Sequence, residues 1–314
     1  MIVDVQNVSH GFGSRRILEN VSFKLDNKEK VSLVGLNGSG KTTIIKCMLE
    51  IYKSHKKKVV LCAPTGRAAK RMSETTFMRA STIHRFLKWS RETGKFQINE
   101  YNKSKVEFVI IDEASMIDTY LMHSLLKGLS SSCKVILVGD DHQLPSVGPG
   151  QVLHDLIESN MLEVVHLTEL YRQGKDSNII SLAYDIRNKS ISTDIFNVDE
   201  DLTFISCLDS EVMNNICEIC HTYKDLSYKK FQILAPMYKG LNGIDEINRN
   251  VQEIFNPKSK NKKETKIVDV LFREEDKVIQ LTNMPDDNVY NGDIGLIDTI
   301  SSGTKKEISK DQIN

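Results

Sequence analysis

Two near-continuous apolar runs, VEFVIID (106–112) and KVILVGD (134–140), dominate the hydrophobic pattern of the chain. Such runs suit central parallel strands covered on both faces. Val31–Val34 and Val59–Ala63 read as further strands of the same kind. Between them apolar residues recur at helical spacing. Thr42–Tyr52 is predicted as a helix with Ile44, Ile45, Met48, Leu49 and Tyr52 on its buried side. Gly66–Ser73 and Ser81–Trp89 are predicted as two more helices, and SRETGKFQIN as a hairpin tip leading to Phe96. Upstream, residues 2–10 and 17–25 predict two short strands around a GFGSRR turn.

Strands alternating with helices predict a doubly wound α/β sheet. Ligands of such sheets bind at the carboxyl ends of the strands. A second unit is expected from about residue 173. Ser177–Arg187 and Asn242–Phe255 read as helices and FQILAPM (231–237) as a strand. NPKSKNKKETK then reads as a polar linker. DKVIQL and GDIGLIDTI, around an Asn291-Gly292 turn, read as the start of a small β-barrel.

The 314 residues allow about two domains. With 42 basic and 42 acidic residues, bulk charge announces no nucleic-acid partner, so any basic surface must be local, as at Lys56-Lys57-Lys58 or Lys258–Lys266. A solvated loop is the plainer reading of both runs. No stretch of roughly 20 apolar residues suggests a membrane span. The start MIVDVQNVSHGFG lacks the pattern of a signal peptide, and six scattered cysteines fit a reduced, cytoplasmic protein. CEICH (217–221) spells a haem-attachment motif, but Val212, Ile216 and Ile219 place it on a helix that buries one face.

The chemistry begins at Gly35-Leu36-Asn37-Gly38-Ser39-Gly40-Lys41-Thr42, a full phosphate-loop pattern between strand and helix. Its glycines let backbone N–H groups curl around phosphate oxygens, and the helix start at Lys41, Thr42 and Thr43 adds positive dipole. In such loops the lysine reaches the β- and γ-phosphates and the hydroxyl ligates Mg²⁺, roles that fall to Lys41 and Thr42. ATP and Mg²⁺ are therefore the expected ligands. VIIDEAS ends a strand in Asp112, placed to hold Mg²⁺, and Glu113, placed to orient or deprotonate the attacking water. The alternative is an acidic pair that only caps the next helix.

From Thr42 onward the chain resembles the RecD-like DNA helicases of superfamily 1. The resemblance rests on CAPTGRAAKRMSE, STIHRFL, VIIDEASMID, ILVGDDHQLPSVGPGQVLHDLI, LTELYRQ, FQILAPMYKGLNGIDEINRNVQEIFNP and DKVIQLTN, in family order. It implies a P-loop, RecA-like first lobe over residues 1–172 with a pin-like hairpin insertion at 86–104. A partial second RecA-like lobe (173–256) and the start of an SH3-like β-barrel (257–314) follow. It implies ATP hydrolysis coupled to 5′–3′ movement on single-stranded DNA. Thr65, Gly66 and Arg67, with Thr82 and His84, are then contacts to the DNA backbone. Gln143, beside Asp140, senses hydrolysis, and Arg172 stabilises charge on the transferred phosphoryl group. Plainer alternatives are a helix-surface His84, a turn fixed by Pro145 and a salt-bridging Arg172. Trp89 and Phe96 flank the pin position, where ordinary core packing is the other reading.

The left flank differs. Residues 1–40 resemble the start of an ABC-type ATPase, in which an aromatic residue at the first turn stacks on adenine; Phe12 holds that position. Stacking on a base is worth about 1–3 kcal/mol in nucleic-acid complexes. A hydrophobic turn residue is the alternative. The rest of the chain has no LSGGQ-like stretch, so the two resemblances meet inside the phosphate loop. The family's second lobe continues beyond the barrel insertion. Half of that lobe, with one further arginine, is thus expected to be missing here. The competing functions are an ATP-binding remnant without turnover and an ABC-type ATPase acting on ribosomes.

Overall fold

The computed structural model describes residues 3–12, 15–25, 31–35, 39–167, 177–191, 201–226, 230–282, 284, 289 and 291–301. The chain divides into two compact units, residues 1–195 with 199–202, and residues 196–198 with 203–314.

The first unit is built on a six-stranded sheet. Its strands are β3 (Val31–Gly35), β4 (Val59–Ala63), β5 (Ala80–Thr82), β8 (Phe108–Ile111), β9 (Lys134–Gly139) and β10 (Glu163–Leu167). The order across the sheet is β10-β3-β9-β8-β4-β5, and every neighbouring pair is parallel. The two apolar runs seen in the sequence are its central strands, and Phe108–Ile111 is wholly buried.

Side chains alternate between two cores, as the period of a strand requires. Phe108, Ile110, Ile136 and Val138 face α1 (Lys41–Ser54) and α2 (Gly66–Thr76). Val109, Ile111, Val135 and Leu137 face α3 (Ile83–Phe86), α4 (Thr119–Gly128) and α5 (Val152–Glu158). Tyr52 of α1 stacks on Phe108, with ring centroids 4.2 Å apart. Helix α6 (Asn178–Asn188) also belongs to this unit. The N-terminal strands β1 (Val3–Phe12) and β2 (Arg15–Leu25) form an antiparallel ribbon of their own.

One expectation for this unit changes. Ser81–Trp89 is not one helix. Ala80–Thr82 pairs with β4 as an edge strand, α3 is a single turn, and Lys88 takes a left-handed φ of 55°. The strand β6 (Trp89–Ser90) then pairs with β7 (Lys95–Phe96) in a short hairpin. Three residues are too few for alternation to register as a strand, and the sheet edge claims them.

The second unit holds α7 (Val212–Thr222), which packs with α8 (Ile244–Phe255), and two hairpins. The hairpins are β11 (Glu264–Ile267) with β12 (Val270–Arg273), and β13 (Lys277–Ile279) with β14 (Ile294–Leu296). The CEICH stretch lies on α7, with Cys220 buried, as the helix reading expects.

The polar stretch 256–266 is no plain linker. It runs into β11, and its lysines find acids, Lys258 with Glu264 at 3.2 Å and Lys262 with Glu275 at 2.5 Å. Residues 231–237 form no strand. A strand is defined by its ladder partner, and no described strand lies beside this segment; Leu234 is 89 % exposed.

Candidate active site

Strand β3 carries the chain to Gly35, and α1 departs from Lys41. Gly35 is required by close approach. A Cβ there would lie 2.5 Å from Ser39 Oγ and 2.9 Å from the Leu167 carbonyl oxygen of the neighbouring strand. Gly40 caps α1 at φ 91°, a left-handed conformation that glycine adopts without strain. No side chain caps this helix. An uncapped helix start presents its first N–H groups, and the positive end of its dipole, to an anion. The Ser39 hydroxyl is buried and without a partner among the described residues. Lys41 is 9 % exposed and its Nζ donates to the Gly35 carbonyl. An ammonium has three donors, so others remain for phosphate oxygens.

Strand β9 lies between β3 and β8, so Asp140 and Asp112 leave the ends of neighbouring strands, beside the strand that leads into the phosphate loop. Asp140 is 4 % exposed. Its carboxylate accepts from Gln143 Nε2 and from the His142 amide, each at 3.2 Å. The Asp112 carboxylate accepts from the Glu113 amide at 3.0 Å. Glu113 takes a left-handed φ of 54° before a 3-10 turn, Ala114–Met116. That conformation is uncommon for a residue with a Cβ and concentrates at functional sites.

Burial pulls the Lys41 ammonium below the ordinary lysine range, against the charges of Asp140, Glu113 and Asp112. Burial raises the Asp112 carboxyl above its ordinary value, against Lys41 and a hydrogen bond. Burial and the Asp112 charge raise Glu113. Lys41, Asp112, Glu113 and Asp140 therefore form one electrostatic cluster. Thr42 and Asp112 offer oxygen donors of the kind Mg²⁺ takes. No cage of three or more acidic, His or Cys side chains exists among the described residues. A magnesium ion held by one or two carboxylates and phosphate oxygens needs none.

A second constellation stands at the far end of the same sheet edge. Strands β4 and β5 are in register at Ala63 and Thr82, so α2 and α3 start side by side. Thr65 Oγ1 caps α2 by accepting from the Ala68 amide at 3.2 Å, and Thr82 Oγ1 caps α3 by accepting from Arg85 at 3.1 Å. Each hydroxyl keeps its proton to donate. Gly66 is buried in the first turn of α2 and Arg67 is exposed. His84 does not stand alone on the helix surface. Its ring packs 5.6 Å from Phe96 and 6.3 Å from Trp89, and those two rings pack 4.7 Å apart.

Residues 23–209 match the family described as the AAA domain, and residues 247–311 match the family described as the ATP-dependent RecD-like DNA helicase SH3 domain. The chain belongs to the AAA-domain family. The AAA domain includes the six-stranded sheet and both constellations. Among similar proteins is the ATP-dependent RecD2 DNA helicase of Deinococcus radiodurans, 32 % identical over 85 % of this chain and 36 % of its own length. RecBCD enzyme subunit RecD of Buchnera aphidicola (subsp. Acyrthosiphon pisum) is 25 % identical over 86 % of this chain and 57 % of its own. A crystal structure of Bacteroides sp Pif1 in complex with ADP-AlF4 is 20 % identical, covering 88 % of this chain and 67 % of that one, with a TM-score of 0.46. The chain thus spans between 36 % and 57 % of the length of these two curated relatives.

Not every expected site residue falls within the described structure. Asn37, Gly38 and Arg172 lie outside the described residues, as does the side chain of Phe12, whose backbone ends β1. Thr42 and Thr43 begin α1. One residue went unread in the sequence. Arg71 of α2 adds positive charge at Lys41, Asp112 and Glu113. Its signal was its place one helical turn beyond Arg67 in GRAAKR, a spacing that puts both on one face.

Proposed function

We propose that the chain is an ATP-hydrolysing motor of the RecD-like helicase type, coupling turnover to 5′–3′ movement on single-stranded DNA in the cytoplasm. What carries the reading is the pairing of two sites on one sheet edge. The cluster of Lys41, Asp112, Glu113 and Asp140 stands at the ends of β3, β8 and β9, and the Thr65- and Thr82-capped helix starts stand at β4 and β5.

Lys41 and the amides of the phosphate loop, from Gly35 to Thr43, hold the triphosphate. Mg²⁺, held by Thr42 and Asp112, supplies neutralisation of charge on the phosphate oxygens. Glu113, with its raised carboxyl, accepts the proton of the attacking water. Gln143, tethered to Asp140, reports the phosphate's presence to the DNA side. Arg172 stabilises the transferred group, and Phe12 stacks on adenine. On the DNA side, backbone phosphates meet the α2 and α3 starts. Thr65, Gly66 and Thr82 donate there, Arg67 adds charge, and His84, packed against the hairpin rings, is a further backbone contact. Helix starts and hydroxyls of this kind position a nucleic-acid backbone without reading its sequence.

The test is ATP hydrolysis by the full chain with and without single-stranded DNA. The expected result is DNA-stimulated phosphate release that Lys41→Ala abolishes. Tight nucleotide binding with no release would leave an ATP-binding remnant. Co-sedimentation with ribosomes, without a response to DNA, would favour the ABC-type reading.

A further inference from the structure

The loop that leaves Asp140 and Gln143 does not hang free. Its later residues press on the start of α4. A Cβ on Gly148 would lie 2.2 Å from Asp118 Oδ2 and 2.8 Å from Asp118 Cβ. One on Gly150, which sits at φ 96°, would lie 2.1 Å from Thr119 Oγ1. The Thr119 amide donates to the Pro149 carbonyl at 2.9 Å. Ser146 Oγ donates to the carbonyls of Gly148 and Gly150 at 2.9 and 3.1 Å, which fixes the loop's curl.

Asp118 meanwhile caps α4, its Oδ1 accepting from Leu121 at 2.7 Å. Ile117 and Leu121, on either side of it, share one buried cluster with Ile83 and Leu87, on either side of His84. The Asp118 charge is felt at His84. One side chain therefore meets the phosphate-side loop and the capped start of α4, close to the DNA-side helix.

We propose that Asp118 is a positioning residue, a latch against Gly148 through which the state of the Asp140–Gly150 loop is passed to α3 and His84. The inference rests on the functional reading above and names a link within that same site. The latch is a packing and capping contact. An asparagine at 118 retains it, and a glycine, which still starts a helix, removes it.

Hydrogen exchange on the full chain, with and without a non-hydrolysable ATP analogue, reads the latch directly. In the parent the analogue should slow exchange in residues 31–47, 144–150 and 82–88 together. Asp118→Gly should keep the response at 31–47 and 144–150. The change at 82–88, expected to be about fivefold or more in the parent, should disappear. Asp118→Asn should restore it. Gly148→Ala, which drives a methyl against the Asp118 carboxylate from the loop side, should likewise uncouple 82–88 and covers the case in which Asp118→Gly does not fold. An unresponsive 82–88 in the parent, or an equal response in Asp118→Gly, overturns the latch. No response even at 31–47 is a different failure. It removes the nucleotide site, and with it both the functional reading and anything for the latch to pass on.

Discussion

Gln143 reaches back three residues to place its side-chain amide 3.2 Å from the Asp140 carboxylate. Asp140 is in turn the foremost charge acting on Lys41. Lys41, Asp140 and Gln143 thus link the start of α1 to the loop that follows β9. Gln143→Ala leaves Asp140 buried with one partner fewer. The expected outcome is a kcat lower by about tenfold or more, near 1.4 kcal/mol in barrier, with KM for ATP moving far less. Gln143→Glu sets like charges side by side and should be worse than alanine. Steady-state kinetics on the three proteins decides it; a KM effect with unchanged kcat would assign Gln143 to ground-state binding.

Glu113 yields a pH prediction. Its carboxyl is raised by burial and by Asp112. Only the ionised form accepts a proton, so activity should be high above the raised value and fall as pH drops through it. The acid limb of kcat should therefore lie above about 4.3, the ordinary glutamate value. Glu113→Gln should lower kcat by about 10²–10⁴ while nucleotide still binds. Stability runs the other way. A carboxyl raised by burial is a cost to the folded state when ionised, so Glu113→Gln should melt no lower than the parent at neutral pH. A markedly lower Tm would mean that the ionised carboxylate supports the fold.

Gly35 tests the close approach in the phosphate loop. Alanine there drives a methyl toward Ser39 Oγ and the Leu167 backbone on β10. The hydroxyl can turn aside, but a carbonyl in a strand ladder cannot. Overpacking of this kind costs about 1–3 kcal/mol. Gly35→Ala should lower the urea midpoint and weaken nucleotide binding together. Binding by fluorescence titration at unchanged affinity would show that the loop has room to spare.

How much of this was legible in the sequence depends on how local each signal is. The central strands could be read because Phe108–Ile111 and Val135–Gly139 are buried and contain no polar side chain. The phosphate loop could be read because its chemistry is packed into eight consecutive residues. The edge strand Ala80–Thr82 was lost in a predicted helix because only its neighbour β4 makes it a strand. The strand expected at 231–237 failed because its apolar residues have no ladder partner among the described strands. The approach of Arg71 to Lys41, Asp112 and Glu113, and the Gly148–Asp118 contact, were not legible because each joins elements distant in sequence that the sheet order brings together.

Arg273 supplies the last prediction, in the second unit. It is 1 % exposed, yet each of its three guanidinium nitrogens has a partner. Nε donates to Glu264 at 2.6 Å, Nη2 to Glu253 at 2.9 Å and Nη1 to the Asn256 carbonyl at the end of α8. Its own amide donates to Asp276, which also accepts from Gln252 and Asn256. One arginine thereby ties α8 to the β11–β12 hairpin. Removing one partner of a buried ion pair typically costs about 3–5 kcal/mol, and Glu253, itself half in water, draws the figure toward the lower end. Arg273→Ala should therefore free the hairpin, read as faster hydrogen exchange across residues 264–273. Acid should do the same in the parent. The Glu264 carboxyl is held below its ordinary range by Arg273 first and Lys258 second. Its contribution is present above about 4.3 and is lost as pH falls through the depressed value. Arg273→Ala removes the larger of those two causes, so the variant's hairpin should lose less protection between pH 6 and pH 3, on the order of the carboxylate's own titration range. Equal acid sensitivity in both proteins would show that Lys258 alone holds Glu264, and that the arginine acts through packing and the α8 carbonyl.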